Sequence, residues 1–168
     1  MKRRTCLLLL AVVGCADRRT AVIDAFPIGS QAEPWQLVGD VWTGVFEEAA
    51  GALGHDAERW RQLAPTRVWL AVYTHALHPA RVVKVRCFAF EHDEAAHAAY
   101  YAFAPVLAPN YTAGDEGCWT EIGVLFRWGR LVLDVFGDRD TWACQTQASY
   151  VAAVLIRQMP PAAPARGE

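Results

Sequence analysis

The chain has 168 residues, of which 54% are apolar, and its seven tryptophans can contribute to a sizeable core. Its formal charge is −2, and without its first fourteen residues it has 13 basic residues against 18 acidic ones, a net charge of −5. This balance argues against nucleic acid and against a polybasic membrane-binding segment.

The first residues of the chain predict an export signal. The basic head Lys2-Arg3-Arg4 precedes an apolar run from Leu7 to Val13. This run is far shorter than the roughly 20 residues that a membrane-spanning helix needs, so we expect it to be removed. The residues Val12-Val13-Gly14-Cys15 end it, with an aliphatic residue three positions before the cysteine and a small residue just before it.

These four residues resemble the lipobox of bacterial lipoprotein precursors. The resemblance implies that Cys15 receives a diacylglycerol on its sulfur, that the Gly14–Cys15 bond is cut, and that the new amino group is acylated. The chain departs from the usual pattern at Val13, where many members have Ala or Ser. Two or more acyl chains hold a protein firmly on a membrane. The alternative is an ordinary signal peptide followed by an unrelated cysteine.

Four segments follow from this pattern. Residues 1–14 are predicted to be the signal peptide, and residues 15–34, which are small and polar, the lipidated cysteine and a flexible tether. Residues 35–159 are predicted to form a single domain. Residues 160–168 contain three prolines and are predicted to be a disordered tail, because proline fits neither a helix interior nor a sheet interior.

Helical and strand patterns alternate through the domain. Helices are predicted over 41–53, 56–63, 94–104 and 141–159, and strands over 67–74, 81–90, 118–127 and 130–136. Taken as α-ββ-α-ββ-α, this order predicts an α+β fold, with an antiparallel sheet of about four strands in two hairpins and helices packed on it.

Strand alternation also predicts a functional surface. One set of strand positions is almost purely apolar and is expected to form the core. The opposite set mixes rings with cations, which can stack on a glycan or hold an acidic or aromatic group. The candidate binding residues on this mixed face are Trp69, Arg86, Phe88, Trp119 and Arg127.

The domain also resembles exported bacterial domains of unknown function. These carry a strand that ends in Phe, an Ala-rich helix, a hairpin that turns on Gly, and a terminal helix. The corresponding segments here are 85–90, 94–101, 125–135 and 148–156. The resemblance implies the fold and brings no activity with it.

The three cysteines that remain after lipidation leave several arrangements open. Export permits a disulfide, and Cys118 with Cys144 is the candidate pair, because one opens a strand and the other lies in the helix expected to cover it. Cys87 is the alternative partner, and three free buried thiols are the other outcome.

Histidines do not predict a metal site. His92 and His97 are five residues apart, which places them about 140° apart around a helix, and no second helix repeats the Glu94/His97 spacing. His75 and His78 lie in a strand connection and are expected to be solvated. We therefore expect no metal and no cofactor.

These observations predict an exported protein that is lipid-anchored to the cell membrane or the outer membrane and faces the periplasm or the exterior. Its partners are expected to be the membrane, through the lipid on Cys15, and an envelope protein or a glycan. A non-catalytic binding or accessory domain is the preferred interpretation. An envelope or cell-wall hydrolase, with Glu121 and Asp134 as its carboxylate pair, and a purely structural lipoprotein are the alternatives.

Overall fold

The computed structural model describes residues 25–27, 29–138 and 141–159, with only the backbone at residues 30 and 141–143. The predicted signal peptide, Cys15, the tether through residue 24 and the 160–168 tail lie outside these residues. Within the described part of the chain, no helix is long and apolar enough to cross a membrane.

The centre of the domain is a seven-stranded antiparallel sheet. Its strands are β1 (Trp35–Leu37), β2 (Trp42–Gly44), β3 (Arg67–His75), β4 (His78–Ala89), β5 (Glu116–Trp119), β6 (Gly123–Trp128) and β7 (Leu131–Gly137). They lie in the order β1-β3-β4-β7-β6-β5, and β2 pairs with β3 on the same side as β1. The expectation of about four strands is therefore wrong, although the chain remains a mixture of helices and sheet.

In the described part of the chain, four α-helices accompany the sheet: α1 (Phe46–Leu53), α2 (Ala57–Gln62), α3 (Asp93–Phe103) and α4 (Thr141–Gln158). Single 3-10 turns cover Gly29–Gln31 and Gly54–Asp56. Helix α3 has acidic residues in its first turn, which suit the positive end of the helix dipole, and it ends two residues before Pro105. The expected helix boundaries of α3 and α4 agree closely with these bounds.

The additional strands arise at three places along the chain. The helix expected over 41–53 begins only at Phe46, because Trp42–Gly44 pair with β3 instead. The single strand expected over 118–127 is split by a turn in which the Thr120 amide donates to the Gly123 carbonyl over 2.9 Å. Strand β1 begins directly after the predicted tether, where no strand was expected, and pairs with the end of β3.

Helices cover both faces of the sheet. Helix α4 packs on β4, β6 and β7, on what we call the α4 face. On the opposite face, α1 packs on β3, and α3 packs on β6 and β7; we call this the α3 face. Each side has its own apolar core, and the second centres on Trp60, which is stacked between the rings of Phe88 and Phe103 at 3.7 and 3.9 Å.

The packed domain begins before residue 35. Ala25, Phe26 and Ala32 are each no more than 3% exposed and belong to the α4-face core together with Trp35. The described part of the predicted tether is therefore packed on the domain, because its apolar side chains have sheet surface to bury. Ten residues lead from Cys15 to Ala25.

Candidate functional site

The five predicted binding residues do not share one face. Trp69 pairs with Cys87 and is buried on the α4 face, whereas Arg86 and Phe88 point to the α3 face. The register of β5 with β6 places Trp119 beside Val124 on the α4 face and Arg127 opposite Glu116 on the other. The sequence-predicted surface is thus divided between the two faces of the sheet. Trp69 and Phe88 are core residues, 3% and 0% exposed.

For Trp69, the cause is that the alternation of β3 was assigned to the wrong faces. Both alternating sets of this strand are apolar, Val68, Leu70 and Val72 on one side and Trp69, Ala71 and Tyr73 on the other. Composition alone therefore did not decide which of the two sets lies on the same sheet face as Val83, Val85 and Cys87 of β4. A shift of one residue exchanges every side chain between the two faces.

Arg86 is the centre of a partly buried charge cluster on the α3 face. Its Nη1 lies 3.1 Å from Asp56 Oδ2 and 3.6 Å from Asp134 Oδ2, and its guanidinium lies 4.4 Å from the centroid of the Phe136 ring. Burial raises the pKa of Asp134 to about 6, Arg86 opposes this rise, and Asp56 adds to it. The cluster ties the 3-10 turn before α2 to the sheet, and the guanidinium is already occupied by two carboxylates.

Arg127 is engaged in a second cluster. Its Nε donates to Glu116 Oε2 over 2.7 Å, and the same carboxylate lies 3.0 Å from His97 Nδ1 of α3. Burial would raise the pKa of Glu116, but the bonds from Arg127 and His97 outweigh burial and lower it. Glu116 therefore links α3 to the sheet, and the side chain of Arg127, 15% exposed and bound to Glu116, is not free to meet a ligand.

Trp119 is the predicted residue that lies in a cleft. The cleft has a volume of about 810 Å³ and opens between the loop after α3, the β5–β6 turn and the first turns of α4. One wall is apolar and the other polar; the lining residues are Pro105, Leu107, Ala108, Pro109, Trp119, Thr120, Glu121, Gln145 and Thr146. This volume falls within the range of about 300–1,000 Å³ found for ligand sites.

The structure holds Trp119 in position from two sides. Its ring meets that of Tyr111 edge to face, with centroids 5.0 Å apart, and the Tyr111 hydroxyl donates to the Ser149 carbonyl of α4 over 3.1 Å. Its backbone amide donates to the Pro109 carbonyl over 2.9 Å. On the polar wall, Gln145 Nε2 donates to the Thr120 carbonyl over 2.6 Å, which fixes the amide group. A ligand therefore meets a pre-organised surface.

The rim of the cleft exposes aliphatic side chains. Leu107, which lines the cleft, and its chain neighbour Val106 are 94% and 100% exposed in a loop bounded by Pro105 and Pro109. An exposed apolar cluster at the edge of a cleft is typical of binding surfaces. Strand alternation did not reveal this rim. A different sequence feature indicates this rim. Two adjacent aliphatic residues lie in a loop bounded by prolines, outside any helix or strand that could bury them.

The predicted carboxylate pair is not formed. Glu121 lies in the β5–β6 turn and lines the cleft, whereas Asp134 lies on the α3 face with Arg86. Glu121 is the one charged side chain among the lining residues that the structure describes, so these residues offer no cation to an acidic ligand. Within the described residues, no group of three His, Cys, Asp or Glu side chains is placed to hold a metal ion.

The predicted disulfide is not present. Cys87, Cys118 and Cys144 are free and buried. Cys118 belongs to the core of the α3 face, whereas Cys144 of α4 donates through Sγ to the Asp138 carbonyl on the other side of the sheet. The β5–β6 turn reversed the expected side of Cys118, so the sheet separates it from Cys144. Burial raises the pKa of the thiols of Cys87 and Cys118 and so disfavours their reactive thiolates.

Comparison of the chain with models of protein families, with curated proteins and with solved structures finds no match.

Proposed function

We propose that this chain is an exported lipoprotein of the bacterial cell envelope whose domain binds an envelope protein or a glycan through the Trp119 cleft. The observation that carries the binding role is the cleft itself, with a fixed aromatic ring between an apolar loop and a polar wall. Such a surface can bury apolar area of an uncharged ligand and can form hydrogen bonds with its polar groups.

The anchor is supported by the N-terminal sequence. The basic head, the short apolar run and Val12-Val13-Gly14-Cys15 occur in the order found in lipoprotein precursors. The packed domain includes Ala25, and ten residues of extended chain span at most about 35 Å. A lipid on Cys15 would therefore keep the domain, and with it the cleft, close to a membrane surface.

Substitution at the lipidation site tests the anchor. Cys15→Ala should give a precursor that is not cut and does not incorporate a radiolabelled fatty acid in a bacterial host. Cys6→Ala is the matched control, because it removes the other cysteine of the signal region and should leave labelling unchanged. Equal labelling of Cys15→Ala and the wild-type protein would contradict the lipoprotein proposal.

Photo-crosslinking tests the cleft. A photoreactive amino acid at position 107, on the exposed rim, should form adducts in cells, and Trp119→Ala in the same protein should remove most of them. Tyr101→Ala is the control, since it removes a 59% exposed ring outside the cleft. In parallel, purified protein should bind envelope glycan fragments or the crosslinked protein, and Trp119→Ala should weaken that binding. Adducts and binding that survive Trp119→Ala would contradict the proposed role of the cleft.

A further inference from the structure

Exposed apolar side chains lie along the β1–β3–β4 side of the sheet, on the edge opposite the Trp119 cleft. They lie on the turn between β3 and β4 and on the neighbouring edge, where the Val38 amide donates to the Val72 carbonyl over 2.8 Å. We call them, with two basic neighbours, the hairpin patch: Val38, Trp42, Val72, Leu77, Arg81 and Lys84. The four apolar members are 51%, 37%, 36% and 79% exposed, which is unusual for side chains that a compact domain could bury.

The same segment is basic in an otherwise acidic protein. No Asp or Glu occurs between residues 67 and 90, which include Arg81 and Lys84 on the exposed part of β4 and the adjacent rings of His75 and His78. The exposed acids Glu33 and Asp40 flank β1 on the edge of the sheet, and Glu91 follows the segment at its far end. The turn therefore exposes Leu77 between the imidazole rings of His75 and His78. The basic residues Arg81 and Lys84 follow on β4.

The chain enters the sheet beside this turn. Trp35, the first residue of β1, pairs with His75, the last residue of β3, and their rings meet at 5.3 Å. The Ala76 amide in the turn donates to the Pro34 carbonyl over 2.8 Å. The hairpin patch thus lies beside the segment that leads into the domain from the proposed lipid on Cys15.

We infer that the hairpin patch is a second membrane contact, in which Leu77, Trp42 and the valines enter the headgroup region of a bilayer while Arg81 and Lys84 meet lipid phosphates. The inference rests on the proposed lipid anchor. Long basic side chains extend their charges to the interface, and tryptophan is favoured there. The anchor holds the patch at high effective concentration, so a contact too weak to recruit a free protein is sufficient to orient an anchored one.

Site-specific fluorescence tests the contact in the lipidated protein. An environment-sensitive fluorophore is attached to Leu77→Cys or, as the control beside the opposite edge of the sheet, to Leu107→Cys. Labelling is selective because Cys87, Cys118 and Cys144 are buried and the Cys15 sulfur carries lipid. In vesicles of phosphatidylcholine and phosphatidylglycerol, headgroup spin labels should quench the probe at position 77 several-fold more than the probe at position 107.

The double charge reversal Arg81→Glu with Lys84→Glu should lower quenching at position 77 while the protein remains on the vesicles. Unchanged quenching in this variant, or equal quenching at positions 77 and 107, would overturn the inference. Protection of position 77 from a water-soluble quencher without contact to spin-labelled lipid would also overturn it, because a second copy of the chain would then cover the patch. Failure of the lipoprotein to sediment with vesicles would instead reject the anchor, and the inference with it.

Discussion

Asp134 allows a quantitative test of the charge cluster on the α3 face. Its side chain is about 20% exposed and faces one nitrogen of Arg86, which Asp56 contacts more closely, at 3.1 Å against 3.6 Å. Burial raises its pKa from 3.8 to about 6, with Arg86 opposing the rise and Asp56 adding to it. Because the guanidinium is shared between two carboxylates, it offsets only part of the cost of burying the charged Asp134 side chain.

The sign of the pH effect follows from this direction. Because the folded carboxyl binds its proton more tightly than the unfolded one, the folded state holds more protons between pH 3.8 and about 6. The free energy of unfolding should therefore fall as the pH rises through this window. The difference between the two pKa values corresponds to at most about 3 kcal/mol, at 1.36 kcal/mol per pH unit, and the partial exposure of the side chain reduces it.

Asp134→Asn should remove the free-energy cost of burying an ionised carboxylate at this position. The amide keeps the size of the side chain, carries no charge at any pH, and leaves Arg86 its closer partner Asp56. At pH 7.5 the variant should unfold with the same or a higher free energy than the wild-type protein, by up to about 2 kcal/mol. Between pH 4 and 6 its stability should depend less on pH.

Urea unfolding at a series of pH values, followed by tryptophan fluorescence, measures both quantities. Asp40→Asn is the control, because it makes the same chemical change at an exposed position. A loss of more than about 1 kcal/mol at pH 7.5, the size of an ordinary hydrogen bond, would refute the reasoning. It would mean that the attraction between Arg86 and Asp134 exceeds the cost of burying the carboxylate.

Two further substitutions test the packing. Trp60→Ala should cost about 3–5 kcal/mol of unfolding free energy, because the ring is 1% exposed and stacked between two phenylalanines; a thermal melt close to that of the wild-type protein would contradict this packing. Gly123→Ala should be strongly destabilising, since its Cβ would lie 2.0 Å from the Val135 carbonyl oxygen. Gly51→Ala, with open space in a helix, should instead stabilise by about 0.5–1 kcal/mol, and equal melting of the two variants would exclude the predicted close approach.

Much of the local structure was predictable because single features of the sequence decide it. The acidic start at Asp93 and the proline at position 105 bound α3, and Gly129 adopts the left-handed φ of 55° that the β6–β7 turn requires. Strands β1 and β2 were not predictable in the same way. Each has three residues, too few to show a period of two, and both depend on the edge that β3 offers for pairing.

The candidate site was only partly predictable, because it depends on strand register. Trp119 was selected from the sequence and does line a cleft, but the other four candidate binding residues do not. The turn at Thr120–Ile122 carries no proline or internal glycine, so the pattern continued through it and assigned Trp119 to the wrong face. The loop wall with Leu107 comes from a segment that has no periodicity at all.

The two proposed contacts are mutually consistent in their placement. The hairpin patch lies on the β1–β3–β4 side of the sheet, and the cleft borders β5, the opposite edge in the strand order. Five strand spacings of about 4.8 Å separate those edges by roughly 24 Å. The β3–β4 and β5–β6 turns lie at the same end of the strands, so it is contact through the β1–β3–β4 edge that would keep the cleft on the far edge, open to partners in the envelope. Lipid quenching at position 77 and crosslinking at position 107 should then occur in the same molecules; mutual exclusion of the two would show that the sheet does not stand on the membrane in this orientation.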